Sequence, residues 1–232
     1  MTLSCFVTGT DTGVGKTLVS CALLRWLGQR HAAVVGMKPV AAGATLRAGG
    51  WGHDDVLALR AASNLAVSAE LDNPYLLRDP LAPHLAARRM GQSIDIDLIA
   101  QCYRRLAAQA DAVVVEGAGG FCVPLSESRT GADMARALGL PVMLVVGLRL
   151  GCLNHALLTA QAIRAQGLEL AGWVASRIDS AMQAQDDNVA TLATRLRAPL
   201  LADIPFLESP ELAQFRFLLD EQQLMRLLTG AR

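Results

Sequence analysis

The chain has 232 residues, of which 52% are hydrophobic and 18% are charged, which suffices for one large domain with a substantial core. Its 21 basic and 21 acidic residues leave a formal net charge of +0 and form no run of like charges, which disfavours a nucleic-acid or membrane-surface partner. The longest near-continuous apolar run, residues 141–148, is far shorter than the ~20 residues of a membrane span, and we expect a single domain over residues 1–232.

Short apolar runs alternate with longer helical patterns along the chain. We predict strands at residues 4–9, 33–38, 111–117, 141–147, 170–176 and 200–204, and helices at residues 16–30, 54–64, 95–109, 132–139, 153–166, 183–196 and 211–228. Several strands are continuous Val, Leu and Met runs, which is typical of strands buried on both faces. The alternation predicts an α/β fold with an open, doubly wound, mostly parallel sheet and helices on both faces. Residues 41–52, rich in Gly and Ala, are predicted to be a loop.

The first predicted strand leads into the stretch FVTGTDTGVGKT, residues 6–17. The common phosphate-loop spacing, G-x-x-x-x-G-K-[ST], needs a glycine at position 10, but here Gly9 precedes Gly15 by five intervening residues. The physical parts are present, because glycines turn backbone N–H groups inward, Lys16 can reach the outer phosphates and Thr17 can ligate Mg²⁺. The alternative is a strand-to-helix turn with an exposed lysine. We interpret the stretch as a lengthened phosphate loop of a P-loop NTPase-like domain.

Two carboxylates are candidates to complete a magnesium site. Glu116 ends an apolar strand before a Gly-Ala-Gly-Gly turn, next to the first strand if the sheet is doubly wound. Asp55 follows Asp54 at a helix start, where both also resemble ordinary capping residues. Spacing alone therefore leaves Asp55 open between a metal ligand and a cap.

Two further stretches follow predicted strands. Lys38 ends the second strand directly before a proline, which favours a position in the cleft, where it would meet negative charge on a phosphoryl or carbamoyl group. The alternative is a surface lysine at a strand exit. Residues 151–154 begin a later helix, and their N–H groups suit a carboxylate or phosphate, although Asn154 could simply cap that helix.

The five cysteines are far apart in the sequence and include no C-x-x-C pair. Their odd number and spacing favour reduced, mostly buried thiols over disulfides or a zinc site. The phosphate loop that begins at residue 9 also leaves no room for a cleavable signal before it. The sequence therefore predicts a cytoplasmic enzyme.

Together, the stretches FVTGTDTGVGKT, GMKPVAAG, DDVLAL, VEGAGG, PVMLVVGLRLGCLNHALLTAQAI and AGWVAS closely resemble dethiobiotin synthetase. The resemblance runs from residue 6 to about residue 176 in the family's order and continues weakly through APLLADIPFL. The lengthened phosphate loop is itself a mark of that family. The resemblance implies ATP- and Mg²⁺-dependent carboxylation and ring closure of 7,8-diaminononanoate with CO₂, which yields dethiobiotin, ADP and phosphate in the penultimate step of biotin synthesis.

The resemblance also implies roles for individual residues. The catalytic residues would be Thr12, Lys16 and Lys38, and the metal ligands Thr17, Asp55 and Glu116. Nucleotide binding would involve Gly13, Val14, Gly15, Lys16, Thr17, Leu18, Glu116, Gly119, Ser176, Pro205 and Phe206. Substrate binding would involve Thr12, Lys38, Ala42, Gly151, Cys152, Leu153 and Asn154. In the family the last four come from the neighbouring subunit, which implies a homodimer with sites at the interface.

The chain departs from the family pattern at the base-binding end, where Ser176 stands in place of an Asn that often reads the adenine edge. Two other functions are compatible with the fold. An amidoligase of the cobyrinate or cobyrate type would need an appended glutamine amidotransferase domain, for which 232 residues leave no space. A partitioning-type ATPase switch would carry an extra lysine early in the loop, where this chain has only Thr10, Asp11 and Thr12 after Gly9.

Overall fold

A parallel six-stranded sheet lies at the centre of the protein, whose computed structural model describes residues 2–207 and 217–229. The strands are β1 (Leu3–Gly9), β2 (Val34–Met37), β3 (Val40–Ala42), β4 (Thr45–Arg47), β5 (Gly50–Gly52), β6 (Tyr75–Leu77), β7 (Ala112–Gly120), β8 (Val142–Gly147), β9 (Leu170–Ser176) and β10 (Leu200–Ile204). The helices are α1 (Lys16–Gly28), α2 (Asp54–Ala62), α3 (Ala69–Asp72), α4 (Pro83–Arg89), α5 (Ile96–Ala107), α6 (Gly131–Leu138), α7 (Cys152–Ala165), α8 (Gln185–Arg195) and α9 (Glu221–Thr229).

The order of the strands determines which loops meet. The sheet runs β10-β9-β8-β1-β7-β2, and every pairing within it is parallel. The six predicted strands and the α/β fold are therefore confirmed. Because β1, β7 and β2 are neighbours, the residues at their carboxyl ends come together at one edge of the sheet, where open α/β sheets bind ligands.

The strands are apolar on both faces because each face is covered. Val113 and Val115 pack into one cluster together with Trp173, while Val114 and Val145 pack into the cluster on the other side. Successive side chains of a strand point to opposite faces. A continuous apolar run is therefore what a strand between two helical layers needs.

Several details differ from the sequence predictions. Residues 41–52 contain the end of β3 and an antiparallel β4–β5 hairpin, so the prediction of a plain loop was wrong. Strand β7 continues past residue 117 to Gly120, which pairs with Gly9, so Glu116 lies within the strand rather than at its end. The glycines that follow Glu116 allow this continuation because they bring no bulk against the phosphate loop.

Other elements were not predicted, or lie partly outside the described residues. Elements α3, β6 and α4 are all short, and no pattern in the sequence predicted them. Of the predicted helix at 211–228, residues 211–216 lie outside the described residues, and the structure begins α9 at Glu221, so the prediction of a helix at 217–220 was wrong. The five cysteines are free, and all except Cys122 are buried, as predicted. Among residues 2–207 and 217–229, no helix is long and apolar enough to cross a bilayer.

Candidate active site

The phosphate loop joins β1 to α1 in the geometry that anion binding requires. Gly13 has φ 73° and Gly15 has φ 95°, both in the left-handed region that residues with a side chain rarely adopt. Gly15 is the N-cap of α1 and no side chain caps the helix. The first N–H groups of α1 therefore have no capping side chain, which is the arrangement that binds phosphate at helix N-termini.

The extra residue of the loop is accommodated against β8. The N–H of Thr10 donates to Val145 O at 3.0 Å, and the Thr10 hydroxyl accepts from Gly147 N at 3.4 Å. The next residue, Asp11, forms an ion pair with Arg149, which follows β8. The loop thus continues the pairing of β1 by one residue before it turns, so its greater length does not displace the helix start.

Val14 anchors the loop rather than lining the site. Its side chain is 1% exposed. A Cβ added at Gly9 would come within 2.6 Å of Val14, and one added at Gly147 would come within 2.7 Å. The two glycines thus make room for the Val14 side chain as it packs beneath the loop, and Val14 is not among the described residues that line the cleft.

A buried lysine connects the two carboxylates that the sequence singled out. Lys38 Nζ lies 2.5 Å from Glu116 Oε1 and 2.7 Å from Asp55 Oδ2, and it also donates to Gly117 O at 3.3 Å. The Thr17 hydroxyl donates to the same Glu116 oxygen at 2.9 Å. Lys38 is 4% exposed and Glu116 is fully buried. Residues from β7, α1 and α2 thus meet Lys38, which directly follows β2, at one point below the phosphate loop.

The charges of this cluster shift the pKa values of its members. Burial alone would lower the pKa of Lys38, but the charges of Glu116 and Asp55 and their hydrogen bonds outweigh it and raise that pKa. Burial would raise the pKa of Asp55, but Lys38 holds it below its ordinary value. Burial, and then the charge of Lys38, lower the pKa of Lys16 to about 8. Lys16 Nζ donates to the backbone oxygen of Asp11 at 2.9 Å.

The backbone of Lys38 is held by residues that the sequence analysis did not identify. Lys38 N donates to Asp72 O at 2.8 Å, and Asn73 Nδ2 donates to Lys38 O at 2.7 Å. Asn73 is buried, and 35 positions separate the two residues. No local pattern could have indicated this contact, because it depends on how α3 packs against β2.

Of the two neighbouring aspartates at the start of α2, only one faces the cluster. The side chain of Asp54 is 86% exposed and pairs with Arg47 of the hairpin. Asp55 is 32% exposed in its side chain and contacts Lys38. The preceding residue, His53, lines the cleft and caps α2, and sequence reasoning missed it although it directly precedes the aspartate pair.

A cleft of about 1030 Å³ opens above this cluster. The sequence-predicted residues that line it are Thr12, Gly13, Gly15, Lys16, Thr17, Leu18, Lys38, Ala42, Asp55, Gly119, Ser176, Pro205 and Phe206. Residues 80–83 form one wall of the cleft, although no motif in the sequence marked them as site residues. Glu116 lies beneath the cleft, in contact with Lys38 and Thr17.

At one end of the cleft Ser176 lies against the phosphate loop, since a Cβ added at Gly15 would come within 3.0 Å of its hydroxyl. The next residue, Arg177, is held by Asp203 and Asp186, and these hydrogen bonds raise its pKa. Pro205 and the half-exposed Phe206 complete this end. The surface is mostly apolar beside one small hydroxyl, which suits the flat face of a nucleobase.

Residues 151–154 lie elsewhere, at the start of α7, and are not among the described residues that line the cleft. Gly151 caps the helix in the left-handed region, and the side chain of Cys152 is buried against Asn188, with Sγ 3.8 Å from Oδ1. The N–H of Cys152 already donates to Arg149 O at 3.0 Å. Any anion bound here would therefore use the next N–H groups, of Leu153 and Asn154, which have no intrahelical partner in the first turn.

Comparisons with known proteins agree with this geometry. Residues 4–212 match the family model described as an AAA domain. The chain is 54% identical over 213 residues to the ATP-dependent dethiobiotin synthetase BioD of Janthinobacterium sp. (strain Marseille), and the alignment covers 90% of each protein.

Two solved structures share the fold at low sequence identity. The septum site-determining protein MinD from Pyrococcus horikoshii OT3, complexed with Mg-ADP, matches with a TM-score of 0.58 at 16% identity over 99% of this chain and 96% of that chain. A ParA family ATPase from Chlorobium tepidum TLS matches with a TM-score of 0.55 at 14% identity over 99% of this chain and 90% of that chain. At these identities the likeness shows the P-loop NTPase-like fold alone.

Proposed function

The chain belongs to the ATP-dependent dethiobiotin synthetase family, and from this membership we propose how its cleft residues carry out the synthesis of dethiobiotin. The enzyme is a ligase that joins CO₂ to a diamine at the expense of ATP. The observation that carries the residue assignment is the Lys38 ammonium group, held by two carboxylates at 2.5 and 2.7 Å at the floor of the cleft.

The reaction needs charge neutralisation more than covalent help from the protein. One amine of 7,8-diaminononanoate attacks CO₂ and loses a proton, which gives a carbamate. A carbamate oxygen then attacks the γ-phosphorus of ATP and ADP leaves. The second amine attacks the carbonyl carbon, phosphate leaves, and the ureido ring closes. Each step gathers or moves negative charge, so positioning and electrostatic stabilisation supply most of the rate.

Lys16 and Lys38 would have different roles in this reaction. Lys16 and the N–H groups at the start of α1 bind the β- and γ-phosphates, and the phosphate charge favours the protonated lysine over the neutral form that burial promotes. Lys38 holds the carbamate and stabilises the charge that develops as its oxygen attacks. Thr12, which lines the cleft from the phosphate loop, would contact both substrate and phosphate. The wall that contains Ala42 receives the carbon chain of the diamine.

The donor set fits Mg²⁺. Glu116 Oε2 is buried and has no hydrogen-bond partner among the described residues, although a buried carboxylate oxygen is costly without one. Thr17, Asp55 and Glu116 would hold the ion, which takes its remaining oxygens from water and phosphate. When bound, the ion neutralises charge on the β- and γ-phosphates.

The remaining site residues bind the nucleoside. The backbone of residues 13–15 and of Leu18 follows the phosphates, Gly119 lies opposite the loop, and the base rests near Ser176, Pro205 and Phe206. A single serine hydroxyl offers fewer hydrogen bonds than an amide side chain. We therefore expect discrimination against other nucleoside triphosphates to be modest.

We further propose that the enzyme is a cytoplasmic homodimer of single-domain subunits. Residues 151–154 of one subunit would bind the tail carboxylate of the diamine in the cleft of the other. Beside them, Leu150 is 94% exposed and Leu158 is 55% exposed, as apolar residues at an interface would be in one isolated chain. The free, mostly buried cysteines suit a reducing compartment.

An assay with purified protein tests the assignment. Diaminononanoate, bicarbonate and MgATP together should release phosphate and form a product of the mass of dethiobiotin, and omission of any one should abolish both signals. ATP hydrolysis without diamine, stimulated by DNA or lipid vesicles, would instead indicate a switch ATPase. Glutamine-dependent amide formation would indicate an amidoligase. Identity of 54% over 90% of the chain favours neither of these alternatives.

A further inference from the structure

We propose that His53 is a positioning residue, whose ring ties the carbonyl group of Ala42 to the start of α2 and thereby fixes the Asp55 carboxylate beside Lys38. This inference rests on the metal role proposed above for Asp55. It adds a residue that neither the phosphate-loop motif nor the chemistry of the reaction identifies.

Both ring nitrogens of His53 are engaged by the backbone. Nδ1 accepts a hydrogen bond from Asp55 N at 3.1 Å, and Nε2 lies 3.2 Å from Ala42 O. Since Nδ1 accepts, the ring proton is on Nε2, which donates to the carbonyl oxygen. The side chain is 18% exposed and lines the cleft. Its two hydrogen bonds therefore define both the tautomer and the orientation of the ring.

The position of this contact in the chain explains why it is needed. Between Ala42 and His53 the chain leaves the cleft to form the β4–β5 hairpin, whose first strand is exposed at all three residues. A two-stranded hairpin has little stability of its own in water. The histidine therefore adds a direct link between the two ends of this segment, from Ala42 to the start of α2.

The cap also selects which aspartate faces the cleft. Asp55 is in the first turn of α2, and its N–H is the group that His53 accepts from. With the helix start held this way, Asp55 Oδ2 lies 2.7 Å from Lys38 Nζ while Asp54 points outward to Arg47. The backbone of Lys38 is held by Asp72 and Asn73, independently of His53. Among the proposed metal ligands, Asp55 is therefore the one whose position depends on the His53 cap.

Three variants separate positioning from ordinary helix capping. His53→Ala removes both hydrogen bonds, and His53→Asn keeps a favoured N-cap acceptor. Asp95→Ala is the matched control, because Asp95 caps α5 through the same bond, from Asp97 N at 2.8 Å, and does not line the cleft. The readouts are the melting temperature, Mn²⁺ binding in the presence of ADP by electron paramagnetic resonance, ADP binding in EDTA by calorimetry, and the Mg²⁺ dependence of kcat.

We expect His53→Ala and Asp95→Ala to lower the melting temperature by similar amounts. Of these two, only His53→Ala should weaken Mn²⁺ binding and raise the Mg²⁺ half-saturation, by about tenfold, as residues that orient metal ligands typically do. ADP binding in EDTA should be unchanged. His53→Asn should recover the melting temperature but not the Mn²⁺ binding, because an asparagine restores the cap and has no second ring nitrogen for Ala42 O.

Two results would overturn the inference. One is His53→Ala binding Mn²⁺ as wild type and Asp95→Ala do, and the other is His53→Asn binding Mn²⁺ as tightly as wild type, which would show that the cap alone is enough and that the contact with Ala42 is not needed. Wild-type protein that forms dethiobiotin without any divalent cation would refute the proposed metal site itself. The two failures are therefore distinguishable.

Discussion

Removal of the Lys38 ammonium group should destabilise the protein far more than removal of a surface charge. In Lys38→Met, the fully buried Glu116 would keep the Thr17 hydroxyl, at 2.9 Å, as its side-chain partner among the described residues, where its second oxygen already has no hydrogen-bond partner. Breaking one side of a buried ion pair costs about 3–5 kcal/mol, because the other charge stays desolvated. For a chain of this size that corresponds to a fall in melting temperature of about 10 °C.

Two companion variants make the origin of the effect measurable. Lys38→Met combined with Glu116→Gln removes the buried charge together with its partner, so most of the lost stability should return. Arg47→Met breaks the exposed pair with Asp54 and should cost less than about 1 kcal/mol. Stability would be measured by urea and thermal unfolding in EDTA without nucleotide, and dethiobiotin formation would be measured alongside.

Both Lys38 variants should lack activity. The double variant should therefore regain stability without regaining the formation of dethiobiotin. The reasoning fails if Lys38→Met unfolds within about 1 kcal/mol of wild type. It also fails if the double variant is as unstable as the single one, since the unpaired charge would then not be the cause.

Three further predictions concern single residues. Asp55→Ala should raise the Mg²⁺ half-saturation about tenfold while Asp54→Ala leaves it unchanged, and the opposite order in a Mg²⁺ titration of activity would show that the wrong neighbour was chosen. Lys16→Gln should weaken ADP binding about 10- to 100-fold by calorimetry with little change in unfolding, because it removes a charge-assisted phosphate contact worth roughly 1.5–3 kcal/mol; undiminished binding would exclude Lys16 from the site. Asp133→Ala should cost about 1 kcal/mol at pH 7, since hydrogen bonds from Thr130 N and the Thr130 hydroxyl hold the pKa of Asp133 below its ordinary value of 3.8. That stability is present above the ordinary pKa and lost as pH falls through the folded one, so a cost that persisted in acid would contradict the assignment.

Local sequence patterns were sufficient to predict the main strands and helices of the fold. Continuous apolar runs such as those in β7 and β8 indicate strands covered on both faces, and they were found within a few residues of their predicted bounds. Shorter pieces escaped prediction, because α3, β6 and the β4–β5 hairpin have too few residues for a periodic pattern. Their structures depend on packing and pairing with distant segments.

The sequence by itself determined the phosphate loop, since its glycines, Lys16 and Thr17 are adjacent in the chain and act through backbone geometry that a short stretch encodes. It also identified Lys38 and Glu116 as residues of the binding edge, because strands can be recognised from their own composition. Only the tertiary structure decided that β2 lies beside β7, so that the side chains of Lys38 and Glu116 meet at 2.5 Å. Residue spacing left Asp54 and Asp55 open, the family resemblance favoured Asp55, and the structure places Asp55 against Lys38. The anchoring contacts of Asn73 and His53 are of the same kind. They join segments that the order of strands and the closure of the hairpin bring together, and no local sequence pattern encodes either arrangement.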